Sequence, residues 1–331
     1  MASTIGAGEL FRLVRSGIDV KGVHAHVRKP FRYLLAGDPA LIAEFRGFLL
    51  SGHPDDSIPL DAAACLETIR PGAPIITEIS EVRLVVFLGR PGDAAGADFE
   101  PLKALRVPIM ALTIDPDALP TGPSAAPTPG TRADYVVPAI SREALRGRVF
   151  PHMIEASKGV EIAVGRRLPP LREAVASKLT RDAANNALKV AVASAVVDHI
   201  PVVGIVLGAF ASAGDMVAIT GIQMMLLLHI EVAYGRDPDV QRLWQLLPVI
   251  GGGFGWRTLA RELVGFVPVA GIAIKGAIAY AGTIVVGEGV TFFLQHGKHM
   301  SKGDASEIYN RTKEDAMRFA RDLATRFKKN Y

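Results

Sequence analysis

The chain has 331 residues, of which 49% are hydrophobic and 21% charged, and its formal net charge is +4. That length suffices for two domains with separate cores, and the mild basic excess is too weak to argue for nucleic acid while suiting an anionic membrane surface. The lone cysteine, Cys65, excludes an internal disulfide and a cysteine-based zinc site.

Residues 1–17 lack a charged region followed by an apolar run, so no secretory signal is expected and the first half is expected in the cytosol. Residues 1–29 form a basic amphipathic segment. Leu10, Phe11, Leu13, Val14, Ile18, Val23 and Val27 stand against Arg12, Arg15, Lys21, Arg28 and Lys29, the pattern of a helix on anionic lipid or of one packed on the next domain with a solvated basic face. His24 and His26 are two apart, which on a helix separates them and makes a poor metal pair.

Residues 30–156 change to short apolar runs separated by turn residues. Pro30 to Gly37, Glu81 to Gly89, Val107 to Asp115 and Ala133 to Ala139 predict buried strands, with Ala64 to Ile69 a weaker one. Helical stretches lie between them: PALIAEFRGFLLSG, a short DFEPLKALR, and SREALRGRVFPHMIEAS. Alternating strands and helices predict a three-layer α/β domain with a mostly parallel sheet. Asp115 to Thr131, rich in proline and small residues, is expected to be a mobile excursion.

Residues 157–300 hold no strand signal and predict a glycine- and alanine-rich helical-hairpin bundle. Leu171 to His199 is an alanine-rich helix after the break at Pro169 and Pro170. Ile200 to Ile230 is a long apolar helix whose only formal charge is Asp215; Gly204, Gly208, Ser212, Asp215 and, less closely, Gln223 line one stripe. Its opening, IPVVG, recurs as VPVAG at Val267, where a second apolar helix runs to Lys298 with Gly271, Lys275, Gly282 and Glu288 as its packing or buried-charge candidates. Lone charges in such helices are costly unless paired, so Asp215 and Lys275 are expected either to meet or to reach an aqueous edge. Residues 301–331 predict an amphipathic helix: Asp304 and Glu307 resemble a capping box, Ala316, Phe319, Ala320, Leu323 and Phe327 make the apolar stripe, and Glu314 can pair with Arg318.

The loop after the first strand is where a phosphate-binding loop would be expected. Such a loop needs main-chain N–H donors, a lysine on the β and γ phosphates and a hydroxyl on magnesium. Gly37, Asp38, Pro39 and Ala40 are followed by no lysine with a serine or threonine, Pro39 lacks an N–H, and Asp38 repels phosphate. Weak anion binding at the helix start is all that remains open. No HExxH, no GxSxG and no metal-spaced histidine pair occurs, so no catalytic or metal residue and no cofactor is expected. His229, His296 and His299 end apolar helices, and the glycine run at Gly251 follows a helix and suits a hinge.

DHIPVVGIVLGAFASAGDMVAITGIQMMLLLHIEVAYGRD and LLPVIGGGFGWRTLARELVGFVPVAGIAIKGAIAYAGTIVVGEGVTFFLQ resemble the YcjF-like domain of unknown function, on the order of the I-P-x-x-G opening, Asp215, Gln223 and the Tyr234-Gly235 turn. The resemblance covers roughly the C-terminal half. It implies membrane association and a preceding GTPase domain of the Era and TrmE type, and it does not imply an activity. PFRYLLAGDP then resembles the strand and phosphate loop of that domain, RLVVFLGRPGD the strand before the nucleotide-side loop, and VPIMALTIDPD the strand before the base-reading N-K-x-D motif, which Thr113-Ile114-Asp115-Pro116 does not match. The expectation is a truncated P-loop-GTPase-like domain without catalysis: a pseudo-GTPase adaptor at the cytoplasmic face of a membrane, peripheral or partly inserted, pairing with an active GTPase or with itself, and with no nucleic-acid partner. The alternative is a cytoplasmic nucleotide-binding protein or GTPase-like enzyme with a rearranged site and a soluble bundle.

Overall fold

A computed structural model describes residues 20–70, 78–93, 99–123, 127–197, 204–239 and 268–329, with side-chain surroundings described for all of these except 56, 100, 194–197, 204–216, 268–275 and 320–329. By compactness the chain divides into an α/β unit, His24–Val175 with Val232–Arg236, and a helical unit whose described residues are 20–23, 176–197, 204–231, 237–239 and 268–329. The first unit continues past Ala156, where the loss of strand signal predicts its end, and takes back a short later segment.

After helix α1 (Val20–Arg28) come β1 (Arg32–Gly37), α2 (Pro39–Leu49), α3 (Leu60–Ala64), β2 (Leu66–Thr68), β3 (Val82–Gly89), α4 (Glu100–Lys103), β4 (Ile109–Ile114) and β5 (Arg132–Val137). The five strands form one sheet in the order β2-β1-β3-β4-β5, and every described pairing between them is parallel. β3 shows why the sequence predicts this: seven of its eight residues are buried, the near-continuous apolar run of a strand covered on both faces. Leu34, Ala36, Val85, Phe87, Ile109 and Ala111 point to the face covered by Phe99, Leu102 and Leu105. The alternate residues face α2 and the later helices, where Phe48 stacks on Phe150 and the buried Tyr33 hydroxyl meets Ser157 at 2.5 Å.

The stretch expected as one helix after β5 is two, α5 (Arg142–Leu145) and α6 (Val149–Ala156), separated by a turn through Gly147. Ser141 caps the first by accepting from the Ala144 N–H. Then follow α7 (Glu161–Arg167) and α8 (Arg172–Val197). The loop between β4 and β5 is not the free excursion its composition predicts, because its described part is pinned at Gly122. There Thr121 forms an antiparallel bridge with Val136, Arg148 donates to the Gly122 carbonyl at 2.8 Å, and the Tyr135 ring lies where a Cβ on residue 122 would sit.

The helical unit holds most of α8 and α9 (Gly204–Ala233), with α10 (Pro268–His296) and α11 (Lys302–Lys329). Of the two repeated Pro-Val-Gly openings, the one at Val267 leads into α10 from Pro268, whereas residues 200–203 before α9 lie outside the described residues, as does the fainter third copy at Leu247. Ala187 and Ala191 on α8 pack with Ala279 on α10, joined by Ile219 and Ile222 from α9. On its other side α10 packs Ala281 and Val285 against Ala305 and Tyr309 of α11. The turn between α10 and α11 uses Gly297 at φ 67°, whose N–H returns to the Phe293 carbonyl at 2.9 Å, a glycine C-cap.

Three expectations for α11 are corrected. Its cap is Ser301, whose hydroxyl accepts from the Asp304 N–H at 3.1 Å and donates to the Asp304 carboxylate at 2.7 Å, so Asp304 is the third residue of the box and not its start. Arg318 pairs with Asp315, one turn back, instead of Glu314. Ala305, Tyr309 and Ala316 are buried, whereas Phe319 is 46% exposed; Ala320, Leu323 and Phe327 lie outside the described side chains.

Candidate functional site at the carboxyl edge of the sheet

In a doubly wound sheet of this order the chain reverses its direction of travel between β1 and β3, and the crevice outside their carboxyl ends is where ligands bind. The residues there are Gly37 to Ala40 after β1 and Gly89 to Asp93 after β3. Gly37 sits at φ 110°, and a Cβ on it would lie 2.0 Å from the Leu88 carbonyl oxygen, so only glycine lets β1 turn this tightly against β3. Asp38 then donates its own N–H to that Leu88 carbonyl at 2.9 Å.

The Asp38 side chain closes the helix start it precedes. Its Oδ1 accepts from the N–H groups of Ala40 at 2.7 Å and Leu41 at 3.1 Å, and Pro39 at the first helical position supplies no donor. These are the orphan donors that an anion at a helix N-terminus would take. The weak anion binding left open at Gly37 to Ala40 is therefore displaced by the chain's own carboxylate.

The next two strand ends repeat the arrangement. After β3, Asp93 Oδ2 accepts from the Arg90 N–H at 2.7 Å, in a turn tight enough that a Cβ on Gly89 would lie 2.8 Å from the Asp93 Cβ. After β4, Asp115 accepts from the Asp117 N–H at 3.2 Å. The Asp38, Asp93 and Asp115 side chains each bond a main-chain donor of their own loop, so these donors face inward and the edge carries negative charge. Arg90 offsets part of it, its Nε 3.9 Å from Asp38 Oδ2, but with the arginine side chain 66% exposed this pair is weak. Among the described residues no group of three His, Cys, Asp or Glu side chains is placed to hold a metal ion.

Of the expected helix-packing residues, Gly204, Gly208, Ser212 and Asp215 lie in α9, and Gly271 and Lys275 in α10, all outside the described side chains. Gln223 is buried and donates from Nε2 to Thr283 Oγ1 on α10 at 3.2 Å; Thr283 in turn donates to the Ala279 carbonyl at 2.8 Å. That is the described crossing of the polar seam. Gly282 is not a close-packing point, since a Cβ there meets nothing within 4 Å. The close approach is at Gly287, where a Cβ would lie 2.2 Å from Thr180 Oγ1 on α8. Glu288 is half-buried; burial raises its carboxyl above the usual range while Arg311 on α11 opposes the shift.

The sequence gives no sign of the buried pair behind β5. Tyr135 Oη lies 2.6 Å from His152 Nδ1 on α6, with the rings edge to face, and His152 Nε2 is shielded from solvent without a hydrogen-bond partner. The tautomer with the proton on Nδ1 donates to the tyrosine oxygen, freeing the Tyr135 hydroxyl for the Pro123 carbonyl at 3.4 Å and leaving only a lone pair unmatched. Burial lowers His152 to about 4.

Comparison with protein-family models, with curated proteins and with solved structures finds no match to the chain.

Proposed function

We propose that this protein is a non-catalytic adaptor in which a GTPase-like α/β domain, fused to a YcjF-like helical domain, acts at a membrane surface through a second copy of itself or an active GTPase. The observation that carries this reading is the Asp38 cap. A phosphate-transfer enzyme needs open donors and a cation at this loop, and here a carboxylate holds the donors while no lysine follows. Calorimetry of the full chain with GTP and magnesium is expected to give no saturable heat; micromolar, magnesium-dependent binding overturns the non-catalytic reading. That outcome would favour the second reading, a nucleotide-binding protein with a rearranged site, which the switch point between β1 and β3 supports.

Support for membrane association comes from α10 and the turn after it. Gly276–His296 is long and apolar enough to cross a membrane. Its neighbour α11 exposes Glu307, Arg311, Glu314, Asp315 and Arg318, and taking such charges into hydrocarbon costs about 2.5–3.5 kcal/mol each on insertion scales, which favours a peripheral or partly inserted pair over a crossing. Between Glu288 and Asp304 there is no carboxylate, while Lys298 and Lys302 alternate along the chain with exposed His296 and His299, which stack on half-exposed Phe292 and Phe293. A cationic, aromatic tip of this kind suits an anionic headgroup layer. Cell fractionation is expected to recover the untagged protein with membranes at low salt and to release it with carbonate; a wholly soluble distribution removes the membrane part of the proposal.

A further inference from the structure

A cavity of about 480 Å³ opens at the opposite, amino end of the sheet, lined by Lys29 and Pro30 before β1, Glu78, Ser80 and Glu81 before β3, Arg83 within β3, and the turn Lys158 to Val160 between α6 and α7. We propose that this cavity binds a small, hydrophilic oxyanion, a carboxylate or a phosphate monoester, with Arg83 as its anchor. The volume falls within the range of small-molecule sites. It is remote from the switch point and independent of whether that edge is catalytic.

The strand pairing explains how Arg83 comes to face the cavity. Arg32 of β1 stands opposite Val82 and the next residue, Tyr33, opposite Leu84, so Arg83 is the extra residue of a β-bulge. Bulges re-aim a side chain out of the pleat and recur beside binding sites. The Nε of Arg83 is shielded from solvent and has no hydrogen-bond partner, an expensive condition for a charged donor that a bound oxyanion relieves.

The nearby carboxylates do not fill this role, because each holds another group. Glu81 accepts from Arg32 Nε at 3.1 Å, Glu78 accepts the Ser80 hydroxyl at 2.9 Å, and Glu161 accepts the Gly159 N–H at 2.8 Å. Lys29 donates one proton to the Gly159 carbonyl at 3.1 Å and has two more, and the Lys158 side chain lines the same wall. A planar carboxylate or a phosphate matches the guanidinium fork, the ammonium groups complete its charge, and the glutamates and Ser80 offer acceptors to hydroxyls on the rest of the molecule.

The test is isothermal titration of the full chain with sodium phosphate and with sodium succinate, in sodium chloride of matched ionic strength. Saturable binding of at least one anion is expected, weakened about tenfold in Arg83→Gln and measurably in Lys158→Ala, and unchanged in Arg90→Gln at the other edge. Binding of phosphate alone assigns a phosphate monoester, and binding of succinate alone assigns a carboxylate. Circular dichroism establishes that the variants fold; Lys158 is exposed, so its variant carries the test should Arg83→Gln fail to fold. Absence of saturable heat with both anions overturns the proposal, as does affinity indifferent to the Arg83 and Lys158 changes.

Discussion

His152 shows how one buried side chain can set the behaviour of a domain in acid. Its folded value of about 4 lies below the ordinary 6.5, so between these limits the unfolded chain takes up a proton that the folded chain refuses. The stability this contributes is complete above pH 6.5 and is lost as the pH falls toward 4. Urea midpoints measured across that window are expected to drop with pH, and His152→Gln, which keeps a partner for Tyr135 and removes the titration, is expected to flatten the slope. Nothing in the sequence marks this pair: His152 stands alone in an apolar helix, and the residue it meets lies 17 positions away on a strand. At Asp38 the sequence shows the missing lysine and the repelling carboxylate, while its use as the cap of α2 emerges only from the bonds to the Ala40 and Leu41 N–H groups.

At the level of elements, the buried strands β1, β3 and β4 announce themselves as apolar runs, and all five strands lie within two residues of where composition puts them, although β5, expected to be buried, is a half-exposed edge strand. Loops are harder, since the contacts that pin Gly122 come from Tyr135 and Arg148, which composition within the loop cannot reveal. Glycines in apolar helices are harder still. Gly282 and Gly287 look alike in the sequence, yet one faces open space and the other abuts Thr180, a distinction made only by the neighbouring helix. Gly287→Ala is therefore expected to destabilise the protein by about 1–3 kcal/mol through overpacking. Gly282→Ala is expected to stabilise it by about 0.5–1 kcal/mol through helix propensity. Thermal and chemical denaturation of the two variants side by side checks the opposite signs.

Over the whole molecule, the sequence foretells an α/β half followed by a helical half but hides the return of Val232–Arg236 to the first unit. Three contacts hold that segment. Arg166 donates to the Arg236 carbonyl at 2.8 Å, Arg172 lies over the Tyr234 ring at 5.9 Å while donating to the Gly165 carbonyl, and Gly165 lets Ala233 approach to 3.0 Å from where a Cβ would be. The Tyr234-Gly235 turn is thus a clasp built on residues 62 to 70 positions earlier in the chain. Arg172→Ala removes its central contact and is expected to cost about 1–3 kcal/mol in the unfolding of the α/β unit, followed by hydrogen exchange of its strand amides.

The Asp38 cap also bears on timing. A carboxylate two and three residues from the donors it serves competes with any dissolved anion as a tethered ligand. On the proposed non-catalytic reading such a loop has no empty interval and no bound interval, and its occupancy would carry no record of nucleotide supply. In that reading the face beside it would present one constant shape, and a partner that reads it would receive a standing signal set by how much of the protein is present and where it is held.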